Sequence, residues 1–97
     1  MPIHNPPHPG EFIRDFYLEP NSITGRQLSA KLGVSPSTLN RVLQGNGGIS
    51  QEIALRLSKA LSRTPESWLA MQNNHYLWQA RLTLNLDTDE RVDFHAT

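Results

Sequence analysis

The chain has 97 residues, no cysteine and a formal net charge of zero. This length suits one domain, and the lack of cysteine excludes a disulfide framework and thiolate chemistry. No apolar run is long enough to span a bilayer, and the N-terminus MPIHNPPHPG lacks a basic region followed by an apolar one. We therefore expect a cytoplasmic protein with no membrane segment.

The charges are distributed unevenly along the chain. Residues 24–63 contain six basic side chains and one acidic side chain, a net charge of +5, whereas residues 1–23 carry −2 and residues 64–97 carry −3. Electrostatic fields are local, because salt screens them beyond about 10 Å. The basic middle can therefore attract phosphate, with modest affinity and a steep dependence on salt.

Residues 1–8 are rich in proline and lack helical periodicity, which predicts an extended N-terminal arm. Pro9 at a first helical position and Glu11 in the first turn open helix one, which is expected to run to about Leu18. Its apolar side chains, Phe12, Ile13, Phe16 and Tyr17, are predicted to form a stripe in the core.

The segment from residue 24 to residue 46 predicts two short helices joined by a tight turn. Thr24 and Gln27 form a capping box at the start of helix two, and Gly33 suits the left-handed conformation at its end. Ser35 and Pro36 are the N-cap and first residue of helix three. The side chains expected to face inward are Leu28, Leu32, Leu39, Val42 and Leu43, and Gly45 is expected to close helix three.

Helix three leaves a polar outer face consisting of Ser37, Thr38, Asn40, Arg41 and Gln44. Arginine suits guanine, amides suit adenine, and hydroxyls adapt to several bases, so this face fits the major groove of DNA. The alternative is the solvated face of a small helical hairpin. The joint occurrence of the caps and turn glycines at compact spacing favours a DNA-binding helix-turn-helix.

Two further helices complete the prediction. Ser50 caps helix four, and Thr64 with Pro65 opens helix five, which is expected to run to about Arg81 with Trp68 in the core. Residues 9–81 thus predict an all-α, five-helix domain. Three basic side chains of helix four are expected on its exposed part, facing either solvent or phosphate: Arg56, Lys59 and Arg63.

Residues 82–97 form a C-terminal extension of different character. Apolar and polar residues alternate from Leu82 to Leu86, and Val92 and Phe94 alternate again after a turn-like segment, as in β-strands. An isolated strand or hairpin is unstable in water, so the extension needs a surface to pair with. Packing on its own domain, a dimer contact and a partner protein all stay open.

Three stretches together resemble the HigA-type antitoxins, which contain a helix-turn-helix domain of the phage-repressor (Xre) class. They are PPHPGEFIRDFYLEP, QLSAKLGVSPSTLNRVLQGNGGIS and ALRLSKALSRTPESWLAMQNNHYLWQAR, and the resemblance covers residues 6–81. It implies a homodimeric repressor of its own promoter that binds double-stranded operator DNA and neutralises a HigB-like, mRNA-cleaving toxin. A two-fold dimer would place its recognition helices about 34 Å apart.

The resemblance, together with the helix-turn-helix pattern, gives a set of candidate DNA-binding residues: Gly25, Arg26, Gln27, Ser35, Pro36, Ser37, Thr38, Asn40, Arg41, Gln44 and Asn46. Two positions depart from the family pattern. Ser29 stands where a small alanine is usual, and Pro36 cannot read a base by a hydrogen bond. Direct readout is therefore expected from Ser37, Thr38 and Arg41, with Asn40 in support.

Two other interpretations compete with this one. A solitary phage-like regulator without a toxin would share the same DNA-binding face. A metal-dependent enzyme would need ligands from His4, His8, His75 and His95, but no carboxylate–histidine set at ligand spacing surrounds them, so we expect no enzyme, no metal and no cofactor. The histidines are expected in loops and on helix surfaces. The candidate dimer or toxin contacts are Tyr76, Trp78, Leu82, Leu84 and Leu86.

Overall fold

The computed structural model describes residues 5–84 and residue 92. This part of the chain contains five helices and no strand, as expected for an all-α helix-turn-helix domain. The helices are α1 (Pro9–Ile13, continued by a π-helical turn, Arg14–Leu18), α2 (Gly25–Leu32), α3 (Pro36–Leu43), α4 (Gln51–Leu61) and α5 (Pro65–Thr83). Among the described helices, none combines the length and apolarity that crossing a bilayer requires.

The last four helices begin at the predicted N-caps. The side chains of Thr24, Ser35, Ser50 and Thr64 each accept a hydrogen bond from the backbone N–H three residues later, at 3.0–3.2 Å. Each bond satisfies one of the N–H groups that a helix leaves free at its start. These local bonds therefore fix where α2, α3, α4 and α5 begin.

Glycines end the two helices of the helix-turn-helix. Gly33 follows α2 with a φ of 74°, and Gly45 follows α3 with a φ of 77°, a left-handed conformation that favours glycine. After α3, Gly45 donates to the carbonyl of Val42 and Asn46 donates to that of Arg41, the two bonds of a Schellman motif. The predicted ends of α2 and α3 are confirmed.

The core lies where α4 packs on α5, α2 on α3, and α1 on α3. Trp68, predicted to be in the core, is fully buried. The other buried apolar side chains around it are Ile13, Leu18, Leu28, Leu32, Leu39, Val42, Leu43, Ile49, Ala54 and Leu57. This single cluster holds α2 and α3 in a fixed relative orientation.

The predicted core stripe of helix one was wrong at Phe16, which is 62% exposed. The helix changes to π geometry after Ile13, and Glu19 donates to the carbonyl of Arg14, five residues back. Buried Ile13 and Leu18 are five residues apart, so the π turn places both on the core side. Phe16 instead stacks on partly buried Phe12, with ring centroids 4.6 Å apart.

Helix α5 ends at Thr83, two residues beyond the predicted end. The expectation of a strand was therefore wrong for Leu82 and Thr83, which are helical. The remainder of the predicted strand pair, including Leu86 and Phe94, lies outside the described residues, apart from Leu84 and the exposed Val92.

Candidate nucleic-acid interface

One open groove brings together the start of α2 and the outer face of α3. Gly25 and Arg26 form one side of it, and Pro36, Ser37 and Asn40 form the other, with Leu43 at its base. Five of the candidate DNA-binding residues, distant by up to 15 positions in sequence, therefore share one surface. We call this surface the α2–α3 groove.

The start of α2 is held by a complete capping box. The Oγ1 atom of Thr24 accepts from the Gln27 N–H at 3.1 Å, and the Oε1 atom of Gln27 accepts from the Thr24 N–H at 2.8 Å. The amide oxygen of Gln27 is thus engaged within the protein, while the N–H groups of Gly25 and Arg26 lie in the first turn. The first turn of a helix is a favourable site for phosphate.

Gly25 allows α2 to approach α3 closely. A methyl group placed there would lie 3.0 Å from the Cδ1 atom of Leu43. Behind this contact, the hydroxyl of buried Ser29 donates to the Arg26 carbonyl at 2.8 Å. Ser29 therefore carries no unsatisfied polar group into the packing of α2 against α3.

Helix α3 presents the predicted polar face. Ser37, Thr38, Asn40 and Arg41 are exposed, opposite buried leucine and valine side chains. Ser35 has a structural role, because its hydroxyl accepts from the Thr38 N–H at 3.2 Å and donates to the Thr38 Oγ1 atom at 2.8 Å. The Thr38 hydroxyl keeps its own proton for donation to a ligand.

Arg41 is the cation of this face. Among the residues that the structure describes, the one ion pair joins Arg56 to Glu52, so Arg41 is not neutralised there. Gln44 and Asn46 follow at the end of α3, and the Nδ2 atom of Asn46 lies 3.4 Å from the Oε1 atom of Gln44. Both side chains are exposed and continue the polar surface beyond the helix.

Two of the basic side chains predicted on helix four make contacts within the protein, and Arg63 lies beyond the end of α4 at Leu61. Arg56 pairs with Glu52 at 3.0 Å and donates to the Leu32 carbonyl at 2.8 Å. Arg63, expected on an exposed face, instead lies over the rings of Phe12 and Trp68, 5.0 and 5.5 Å from their centroids. The prediction for Arg63 was wrong, because a cation–π contact between distant segments leaves no periodic signal.

Lys31 and Lys59 line a different groove, between α2 and α4, which includes Ile23 and Leu61 and no residue of α3. The basic side chains of the middle segment therefore do not form one patch. Of the three basic residues on α2 and α3, Arg26 and Arg41 are the two with candidate DNA-binding roles, and Lys31 lines the other groove.

The N-terminal arm is held against α5 by histidines. His8, expected in a loop or on a surface, is buried, and its Nδ1 atom accepts the Gly10 N–H at 2.9 Å as the N-cap of α1. Its Nε2 atom lies 3.2 Å from the Tyr76 hydroxyl, and His75 Nδ1 donates to the Pro6 carbonyl at 2.8 Å. Burial, followed by the nearby charge of His75, lowers the pKa of His8.

This cluster does not resemble a metal centre. Within the described part of the chain, no group of three or more histidine, aspartate or glutamate side chains could hold an ion. His8 and His75 use their Nδ1 atoms inside the protein, and His4 and His95 lie outside the described residues. Histidine is an uncommon N-cap, so sequence alone gave little sign of the role of His8.

The candidate partner contacts lie at the C-terminal end of α5. Tyr76, Trp78 and Leu82 line one shallow depression, and Leu82 and Leu84 are 67% and 61% exposed. Trp78 is half-buried, while Leu86 falls outside the described residues. This end of α5 therefore exposes apolar side chains, a property typical of protein interaction surfaces.

Comparison with known proteins agrees with this architecture. The helix-turn-helix family model matches residues 16–69, more than half of the chain. The chain is 36% identical over 72 residues to the antitoxin HigA-1 of Vibrio cholerae, a match that covers 74% of this chain and 68% of that protein.

Solved structures of antitoxins share the fold. The antitoxin GraA superposes with a TM-score of 0.84 at 33% identity, covering 94% of this chain and 100% of that one. The Pseudomonas aeruginosa antitoxin HigA, solved with the higBA promoter, superposes with a TM-score of 0.80 at 28% identity, covering 91% and 96%. The chain thus belongs to the helix-turn-helix family of the Xre type and, within it, to the HigA-type antitoxins.

Proposed function

We propose that this chain is an antitoxin and transcriptional autorepressor that binds operator DNA as a homodimer and neutralises a HigB-like, mRNA-cleaving toxin. The observation that carries the DNA-binding half is the α2–α3 groove, which joins the first turn of α2 to the exposed polar face of α3. The structural relatives support it, since GraA was solved in complex with its operator and HigA of Pseudomonas aeruginosa with its promoter.

In this proposal α3 enters the major groove. Arg41, Ser37 and Thr38 contact base edges, with Asn40 in support, because these side chains are exposed and chemically suited to bases. Pro36 begins the helix without reading a base. Contacts to the phosphate backbone come from two places: the first turn of α2, with Gly25, Arg26 and Gln27, and the end of α3, with Gln44 and Asn46. Ser35 acts indirectly, by capping α3.

Arg41→Ala tests the DNA-binding half. Binding to a duplex from the chain's own promoter, measured by fluorescence anisotropy at fixed salt, is expected to weaken by about 1–3 kcal/mol, because one base contact is lost. Circular dichroism should show an unchanged fold, since Arg41 is exposed. Binding to unrelated duplex DNA should weaken less.

Lys59→Ala is the matched control for this experiment. It removes the same unit of charge from the groove between α2 and α4, which contains no residue of α3. It should leave discrimination between operator and unrelated DNA unchanged. Equal losses of specific affinity in the two variants would remove Arg41 from the recognition site.

Co-purification tests the antitoxin half. The protein is co-expressed with the product of the small reading frame beside its gene, and the complex is purified through a tag on that neighbour. A stable complex that suppresses the neighbour's toxicity is expected. The exposed end of α5, with Tyr76, Trp78, Leu82 and Leu84, would supply the dimer or toxin contact. A harmless neighbour and no complex would leave a solitary helix-turn-helix regulator, the second candidate function.

A further inference from the structure

The side chain of Gln72, in the middle of α5, forms hydrogen bonds to the loop that follows α3. Its Oε1 atom accepts from the Ile49 N–H at 2.6 Å, and its Nε2 atom donates to the Ile49 carbonyl at 3.0 Å. One amide thereby satisfies both backbone polar groups of Ile49, a residue that is only 4% exposed. Without the Gln72 amide, the N–H and the carbonyl of buried Ile49 would each lose this hydrogen bond, which is costly for a buried polar group.

This loop, residues 44–50, lies beside Arg41. It leaves α3 through the Schellman motif, in which the Asn46 N–H donates to the Arg41 carbonyl at 2.9 Å. A methyl group placed on Gly47 would lie 3.6 Å from the Cβ atom of Arg41 and 3.8 Å from its Nε atom. The Arg41 side chain therefore lies beside Gly47 both at its Cβ atom and at its guanidinium.

We infer that Gln72 is a positioning residue for DNA recognition. By fixing Ile49 it fixes the loop, and the Gly47 backbone then limits the directions in which the Arg41 guanidinium can point. An arginine restricted in this way loses less conformational freedom when it binds a base. The inference rests on the proposed role of α3 in DNA binding and adds to it a residue of α5 that does not belong to the α2–α3 groove.

A double-mutant cycle in the full chain tests this role. Gln72→Met keeps the length of the side chain and removes both hydrogen bonds. It is expected to weaken operator binding about tenfold when Arg41 is present, and less than about twofold in the Arg41→Ala background. Asn73→Ala is the control, because this neighbouring amide is exposed and makes no hydrogen bond recorded within the described residues. It should leave operator affinity unchanged in both backgrounds.

Gly48→Ala disturbs the same contact between Gln72 and Ile49 by a change in the loop instead of in α5. A methyl group there would lie 2.7 Å from the Oε1 atom and 3.2 Å from the Cδ atom of Gln72, so the flexible amide must move away. This variant should show the same loss of affinity and the same dependence on Arg41. Faster hydrogen exchange of the Ile49 amide, measured by NMR, should accompany both variants while the melting curve reports whether the domain stays folded.

The possible results distinguish a failure of the role inferred for Gln72 from a failure of the proposed DNA-binding function. An equal loss of affinity with and without Arg41 would overturn the inference, because a merely structural contact weakens both backgrounds alike. Unchanged affinity despite faster exchange at Ile49 would also overturn it. Failure of the unmodified chain to bind its operator would overturn the proposed function, and with it this inference.

Discussion

Gly10 lies where α1 approaches the backbone of α3, and Gly10→Ala tests whether that approach stabilises the domain. A Cβ atom at this position would contact the Val42 carbonyl oxygen and lie 2.7 Å from the Val42 carbonyl carbon and 2.9 Å from the Leu43 Cα atom. All three are backbone atoms inside or at the end of α3, so none can rotate away. The substitution must therefore move α1 away from α3.

The cost follows from two opposing effects. Overpacking of this kind costs about 1–3 kcal/mol, and the partial separation of α1 from α3 also loosens Ile13, which is fully buried. Alanine in place of glycine in a helix returns up to about 1 kcal/mol. We expect a net loss of about 2 kcal/mol, which for a domain of this size lowers Tm by about 8–16 °C.

Thermal and urea unfolding, followed by circular dichroism, measure this loss. Gly47→Ala is the control, since the three atoms nearest its methyl group would be atoms of the flexible Arg41 side chain, none closer than 3.6 Å. That variant should be neutral or stabilised by about 0.4–1 kcal/mol, because alanine restricts the unfolded chain. Equal free energies of unfolding for Gly10→Ala and Gly47→Ala would show that α1 does not pack closely against the backbone of α3.

Three further predictions concern a pH dependence, a helix cap and a surface. Burial and the charge of His75 lower the pKa of His8 below its ordinary value of 6.5, so the unfolded chain takes up the proton first. Stability should then be full above about pH 6.5 and fall as the pH drops below it, and His8→Asn, which keeps a capping side chain, should flatten the curve in urea titrations. Ser35→Ala removes the N-cap of α3 and should lower Tm by about 4–8 °C for a loss of about 1 kcal/mol, whereas an unchanged Tm would show that the cap is dispensable. Leu82→Arg places a charge on a side chain that is 67% exposed, so the helical circular-dichroism signal should stay unchanged at low temperature while the dimer mass in light scattering or the capture of toxin decreases. Retention of both would exclude Leu82 from the interface.

The helix starts could be predicted because capping is a local property. Thr24, Ser35, Ser50 and Thr64 each bond to an N–H only three residues away, so the sequence pattern contains both partners. The polar outer face of α3 could be predicted from the same local signals, since the caps and the glycine turn set the register of each short helix. Residues close in sequence therefore defined the candidate site.

Contacts between distant segments could not be predicted in this way. Gln72 bonds to Ile49 across 23 positions and His8 to Tyr76 across 68, and neither contact has a periodic signature. Phe16 was misplaced for another reason, because a helical stripe assumes 3.6 residues per turn and the π turn has a longer period. The misplaced residues thus lie where tertiary packing, or a change of helix type, replaced local geometry.

The neutral net charge of the chain is compatible with DNA binding because the basic side chains lie at different places in the fold and only some of them face the proposed DNA-binding surface. Arg56 pairs with Glu52, Arg63 lies over the rings of Phe12 and Trp68, and Lys31 and Lys59 line a groove without any residue of α3. Arg26 and Arg41 remain for the proposed DNA contacts. Each phosphate neutralised steepens the dependence of log K on log salt by about 0.9, so few such cations predict a shallower slope than the segment charge of +5 suggests. Affinity at this interface must then come largely from backbone N–H groups and from oriented neutral side chains, which makes the geometry of α2 and α3 more important than the number of charges.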